Sequence, residues 1–438
     1  MQGKELLDRL YDYVTGDEDA RVCKDIPTSA CHHQPRNFFA YLVANLLNKV
    51  ADEISSAKLV LPWLLGTLGA PLAFTGFLVP IREAGALLPQ LIVAALVRKQ
   101  PKRKGVWLLG ALLSALALAV MAWTATGLEG AAAGWMVVLM LVLFSLARGL
   151  CSVSAKDVLG KTVSKSRRGV LMGWSASLGG VAVLLIGLWL GASNLENVGK
   201  DIFVWLLGGA SVLWLLALLV FATIREEPGA TEGGGNALTV ALQSLALLKT
   251  DAPFRRFVIA RTWLLSVALS PPFLMILAQQ HTSGGIGELG WLIVATGLGS
   301  AVSSPFWGKL GDQSSKTVMA MAATGSGVLC LLVWLAVTTD FAFVNTTWFW
   351  GLVMIALTVL HSGIRLGRKV YLVDMATAET RASYVAVSNT VIGVMMLVTG
   401  VIGLLGDWFG AGAVVLLLGV LALVAAGYAK QLPEVSEP

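Results

Sequence analysis

Residues 106–126 read VWLLGALLSALALAVMAWTAT, a run without a single charge, and similar runs recur along the chain. A bilayer core about 30 Å thick is crossed by roughly 17–25 apolar residues of α-helix. Twelve segments are long enough: 38–64, 70–97, 106–126, 132–154, 170–192, 202–223, 257–280, 289–307, 317–338, 347–364, 384–405 and 411–429. They are rich in Ala, Gly and Leu and do not alternate apolar with polar residues, which predicts helices rather than a barrel. Composition agrees. The 438 residues are 56% hydrophobic and 13% charged, against roughly 25% charged in a soluble domain, and mean hydropathy is +0.76. The predicted fold class is an all-α polytopic membrane protein of twelve transmembrane helices.

Lys and Arg collect in cytoplasmic loops. Both tails and every second loop together hold 26 of the 32 basic residues; the opposite loops hold one, Lys200, and the spans hold five. Both termini are therefore expected to be cytoplasmic in a multi-pass protein of the plasma membrane, or of the inner membrane in a Gram-negative bacterium. The net charge of +6 is a topology signal, so nucleic acid is not an expected partner. The clusters RKQPKRK (98–104) and KTVSKSRR (161–168) are placed to meet anionic lipid headgroups.

Cys23, Cys31, Cys151 and Cys330 lack metal-ligand spacing and predict no disulfide framework. The segment CKDIPTSACHH (23–33) adds His32 and His33 to two of them, yet fits no zinc pattern and reads as a mobile cytoplasmic stretch. Residues 1–37 are polar and carry no cleavable signal. No metal, cofactor or nucleotide-binding loop is expected, and the chain is expected to act as a monomer.

The segment 224–256 opens with IREEPGATEGGGN and separates six spans from six. Its glycines predict a flexible linker, and ALTVALQSLALLK (237–249) can lie on the membrane surface as an amphipathic helix. The predicted organisation is a tail (1–37), a six-helix bundle (38–223), the linker (224–256), a second six-helix bundle (257–429) and a short tail (430–438). Internal repeats tie the bundles together. Arg148 stands nine residues before Asp157 in RGLCSVSAKD, and Arg365 nine before Asp374 in RLGRKVYLVD. Arg167 and Arg168 follow the first copy, Arg381 the second; EAGALLPQ (83–90) and GLGSAVSS (297–304) also correspond.

With these repeats, the loop GKLGDQSSK (308–316) resembles the glycine–x–x–x–aspartate signature of the major facilitator superfamily (MFS), at Gly308, Asp312 and Lys316. In the first half Arg98 stands where that signature has its aspartate. The resemblance spans nearly the whole chain. It implies two pseudo-symmetric halves, with spans 1, 4, 7 and 10 lining a cavity and spans 3, 6, 9 and 12 facing lipid. It also implies a secondary transporter working by alternating access. Glycine would let the loop turn sharply. Asp312 would pair with Arg365 or Arg381 across a cytoplasmic gate, or merely cap the loop.

Eight acids and bases fall inside the spans: Lys49, Asp52, Glu53, Lys58, Arg82, Glu83, Arg148 and Arg261. Each costs about 2.5–3.5 kcal/mol at mid-helix; Lys58 alone is near enough to an end to snorkel. Asn45, Lys49, Asp52 and Ser56 share a helical face, and Glu53 is four residues from Lys49. Span 2 runs back beside span 1 and brings Arg82 and Glu83 to the same depth. The expected pairs are Asp52–Arg82 or Glu53–Arg82, with Lys49–Glu83. Two readings stand: a midplane site for substrate and proton, with Asp52 the preferred proton carrier and Glu53 next, or a structural network joining spans 1 and 2. Arg148 and Arg261 extend the charge onto spans 4 and 7, and His361 lies in span 10. Arg148 reads equally as a gate or structural arginine. Prolines in SPP (270–272) predict a kink in span 7. Trp63, Trp107, Trp291, Trp348 and Trp408 read as interfacial anchors. No nucleophile is visibly partnered, so an enzyme is not expected. The expected function is proton-coupled transport of a small organic solute; the alternatives are facilitated diffusion and a transporter-like sensor or scaffold.

Overall fold

The computed structural model describes residues 2–15, 26, 31–88, 93, 97, 99–193, 199–229, 245–311, 313–377 and 380–435. Its regular elements among these residues are all helical. The first half comprises α1 (Gln2–Thr15), α2 (Gln34–Ile54), α3 (Val60–Thr67), α4 (Leu72–Leu87), α5 (Lys104–Gly127), α6 (Gly130–Thr162), α7 (Lys165–Ala192) and α8 (Asp201–Ala222). The second comprises α9 (Leu247–Thr250), α10 (Ala252–Trp263), α11 (Leu265–His281), α12 (Ile286–Gly311), α13 (Ser315–Thr338), α14 (Thr347–Met375), α15 (Arg381–Thr399) and α16 (Ile402–Lys430). Nine described helices are long and apolar enough to cross a membrane. The remaining spans 1, 2 and 11 correspond to α2–α3, α4 and α15; α2 is long enough but too polar, and α4 and the apolar part of α15 are shorter.

Span 1 breaks between Ile54 and Val60. The Ser55 hydroxyl donates to the Ala51 carbonyl (2.7 Å), and the Lys58 amide donates to the Ser56 hydroxyl (3.3 Å). Serine side chains here offer the backbone alternatives to the helical ladder. The interruption in span 7 falls at Leu264, not at the prolines: α11 runs through Pro271 and Pro272. Pro271 has no N–H for the Val267 carbonyl, and the Ser270 hydroxyl donates to that oxygen instead (2.9 Å).

Within the first half α5 packs on α6 and α8, α2 on α7 and α8, and α4 on α6. Within the second, α13 packs on α14 and α16, and α12 on α14. The halves meet where α7 crosses α12 and where α4 meets α15 and α16. Small residues make these crossings close. A Cβ on Gly76 would lie 2.6 Å from Gly403 Cα, and one on Gly290 would lie 2.3 Å from the Gly191 nitrogen.

Ahead of the segment 23–33, most of which lies outside the described residues, α1 docks on span 1, with Tyr11 buried edge-on against Phe38 and accepting from Gln34 (2.5 Å). Two expectations need correction at this level. Cys31 is disulfide-bonded, its partner lying outside the described residues. Trp63 and Trp107 are core residues at 1% and 2% exposure, Trp107 stacked on Phe221, whereas Trp291, Trp348 and Trp408 are exposed as expected. The proposed amphipathic helix at 237–249 lies mostly outside the described residues.

Candidate functional site: a charged chamber behind the break in span 1

Asp52 sits one turn before the break in span 1, between two arginines. Arg148 of α6 donates to one carboxylate oxygen (2.5 Å), and Arg82 of α4 lies 3.5 Å from the other. Each guanidinium also rests on an aromatic ring: Arg82 over Phe144 at 5.1 Å and Arg148 over Trp214 at 4.8 Å. Cation–π contact supports a desolvated cation. Span 4 thus supplies the second arginine, and Arg148 joins the span 1–span 2 charges.

The other predicted pairings rearrange. Asp52–Arg82 forms, but Lys49 does not meet Glu83. Lys49 lies along Gly179 of α7, while Glu83 pairs with Lys58 (3.7 Å). The break explains this, because it turns Lys58 out of register with Lys49 and toward span 2. Asn45 donates to Ser175 of α7 (2.7 Å), a contact between spans 1 and 5. Glu53 has no ion pair among the described residues. Glu53 and Glu83 sit deep inside the protein and still keep accessible surface. Both carboxylates are therefore surrounded by protein without being sealed in a dry contact.

From the second half, His361 of α14 faces Lys58, Arg365 and Arg368, and its Nδ1 has no partner among the described residues. Arg261 does not line the chamber as expected. It is 8% exposed and donates to Ser388 (2.5 Å) and Asn389 (3.1 Å) of α15.

The predicted gate looks different. Helix α12 continues through Gly308 to Gly311, so Gly308 makes no turn. Asp312 and Arg98 lie outside the described residues. Asp157 pairs with Arg103 and with Lys161 (3.6 Å), both in its own half. Lys316 pairs with Glu434 (3.6 Å) after α16. The side chains of Arg365, Asp374 and Arg381 form no ion pair among the described residues, so no predicted cross-gate pair is seen there.

Two sets of residues escaped the sequence reading. Glu226 is 7% exposed; its carboxylate accepts from the Arg103 and Lys104 amides (2.9 and 2.7 Å) at the start of α5 and from Lys161 (3.0 Å). Glu434 accepts from Ser314 (2.8 Å), the N-cap of α13. Each glutamate stands four residues beyond the last helix of its half, after Ala222 and after Lys430. Both are anions at a helix N-terminus, and a repeat search extended past the spans would have aligned them. At the opposite end of the bundle, Asp407 accepts from the Leu72 and Ala73 amides (2.6 and 3.3 Å). Gln279 donates there to the Trp63 carbonyl and the Thr67 hydroxyl (3.0 Å each). Both contacts join one half to the other, and nothing local in the sequence marks them.

The family model described as Major Facilitator Superfamily matches residues 38–284 and 262–436. The chain belongs to the major facilitator superfamily. No curated protein sequence matches it. Among solved structures, this MFS chain is similar to a D-xylose–proton symporter at 14% identity and a TM-score of 0.69, with 92% of this chain and 99% of that one covered. It is similar to the nucleoside transporter NupG at 13% identity and 0.69, covering 90% and 99%. A POT family transporter in complex with 5-aminolevulinic acid gives 12% identity and 0.67, covering 93% and 98%. At such identities the likeness is one of fold. It confirms the all-helical MFS architecture, while the described helices alone do not establish the full count of twelve.

Proposed function

We propose that this MFS protein is a secondary active transporter of a small organic solute, coupled to protons and working by alternating access around the chamber behind the span 1 break. The observation that carries the reading is the set of ionisable groups enclosed there. Asp52 offsets one of the two positive charges of Arg82 and Arg148, Glu83 pairs with Lys58, and Glu53 keeps accessible surface with no ion pair among the described residues. Charged groups at this depth are costly unless they face protein or water, and transporter sites form near such discontinuous helices.

Asp52 is committed to two guanidinium groups and Glu53 to none. Glu53 is therefore the carboxylate left to exchange a proton, which reverses the preference drawn from helical faces. The bundle end bearing both tails and most basic residues is assigned to the cytoplasm of a plasma membrane or its bacterial equivalent. In that orientation the contacts through Asp407 and Gln279 close the outer face, and the protein rests facing inward. No catalytic role is assigned to any residue.

The test is reconstitution into liposomes holding a pH-sensitive dye, challenged with a panel of sugars, nucleosides, amino acids and organic acids. Solute-dependent proton flux should vanish in Glu53→Gln while solute counterflow persists. Unchanged proton flux in both Glu53→Gln and Asp52→Asn would remove the proposed site. Solute flux without any proton movement would instead make the protein a facilitator.

A further inference from the structure

Span 10 carries three cations for which the described residues supply no partner. Arg365, Arg368 and Lys369 lie on α14, which runs on to Met375, well past the end read from hydropathy. Among the described residues none of their side chains has an ion pair or a hydrogen bond. Arg148, the repeat counterpart of Arg365, pairs with Asp52 of span 1. Span 7 occupies the equivalent place in the second half, and residues 257–280 contain no acid at all. Residues 289–307, 347–364 and 384–405 contain none either. The acid that Arg368 feels is Glu83 across the chamber, which is already paired with Lys58.

A cavity of about 210 Å³ opens beside these cations, lined by Ser303 and Trp307 of α12 and by Ser362, Arg365 and Lys369 of α14. Positions 362, 365 and 369 follow three- and four-residue spacing and so form one stripe. Arg365 belongs also to the neighbouring stripe of His361 and Arg368, at four- and three-residue spacing. The Trp307 indole donates to the Val359 carbonyl (2.7 Å), which fixes the ring as a rigid wall. Among the described residues, nothing accepts from the Ser362 hydroxyl, the Arg365 fork or the Lys369 ammonium. Guanidinium and ammonium donors converging on one void match the oxygens of a phosphate or carboxylate.

We propose that this pocket is an anion subsite, taking the phosphate or carboxylate group of the transported solute while the body of the solute occupies the chamber. Pockets that hold a whole ligand measure roughly 300–1,000 Å³, so a void of this size suits one charged group. The inference rests on the transporter reading and narrows its substrate class to organic anions and zwitterions. The phosphate of an anionic lipid offers the same chemistry, and the test separates the two sources.

Purified full-length protein is placed in nanodiscs of phosphatidylcholine alone, and its thermal midpoint is followed as inorganic phosphate is titrated at constant ionic strength against chloride. The wild type should show a saturable rise. Arg365→Gln with Lys369→Gln should weaken the apparent affinity about tenfold or more. The charge-preserving exchange Arg365→Lys with Lys369→Arg should retain binding, which guards against a fold defect in the neutral variant. Lys156→Gln, an exposed cation elsewhere on the same end of the bundle, should leave binding unchanged. No phosphate response in the wild type, or a response indifferent to the double neutral variant, overturns the proposal. So does a phosphate response abolished by adding phosphatidylglycerol, with that lipid retained by the wild type and lost in the neutral variant; the pocket would then belong to lipid. Proton-coupled flux of a neutral solute, without phosphate binding, would overturn this site and leave the transporter reading standing.

Discussion

Asp407 is the most direct place to perturb the conformational balance. Its carboxylate lies in the second half and accepts two amide hydrogens, from Leu72 and Ala73, at the start of α4 in the first half. Hydrogen bonds to charged groups contribute about 1.5–3 kcal/mol net. This site is exposed, which places the effect at the low end, and an asparagine keeps one neutral acceptor. Asp407→Asn should therefore cost the closed state about 1.4 kcal/mol, a factor of about ten. The contact exists only when the halves meet at this end, so the whole loss falls on one side of the equilibrium. A state open at this end and populated at about 1% would rise to about 10%. Spin labels at Glu129 and at Phe343 in the short 3-10 helix Ala342–Asn345, both exposed at this end but in different halves, would report the shift by pulsed electron resonance, in a background without reactive native cysteines. The long-distance fraction should grow in Asp407→Asn. An unchanged distribution would refute the claim that this carboxylate holds the face closed.

Three further outcomes follow from the same geometry. Gly76→Ala places a Cβ 2.6 Å from the Gly400 oxygen and Gly403; the same label pair should show a shift toward the open state, whereas an alanine tolerated with no shift would mean the helices can separate locally. Asp52→Asn leaves Arg82 and Arg148 facing each other, and removing one partner of an enclosed ion cluster costs about 3–5 kcal/mol; the partial exposure of this one, 20–23% of each side chain, puts the loss nearer about 3. A lowered thermal midpoint, partly restored by adding Arg148→Gln, supports the network, and a double variant no better than the single one counts against it. Glu226→Gln should lower the midpoint more than Glu434→Gln, because the Glu226 carboxylate is 0% exposed and that of Glu434 42%; equal effects would show that burial of the carboxylate does not set its contribution.

Hydropathy by itself determined that the chain crosses a membrane as helices, since apolar run length and loop charge are local properties that no packing overrides. The residues of the chamber were also legible: an acid or base in a long apolar run is conspicuous wherever it ends up. Partners were not. The sequence paired Lys49 with Glu83 and left Lys58 to snorkel, and a few residues of non-helical backbone at Ser55 and Ser56 gave Glu83 to Lys58 instead. The same applies to length, because α14 runs eleven residues past the apolar run that ends at residue 364 and so places Arg365 and Lys369 in the wall of a cavity. Contacts such as Asp407 with α4 join positions more than three hundred residues apart. Only the tertiary structure could reveal them, because a backbone amide offers the sequence no sign of which carboxylate will reach it.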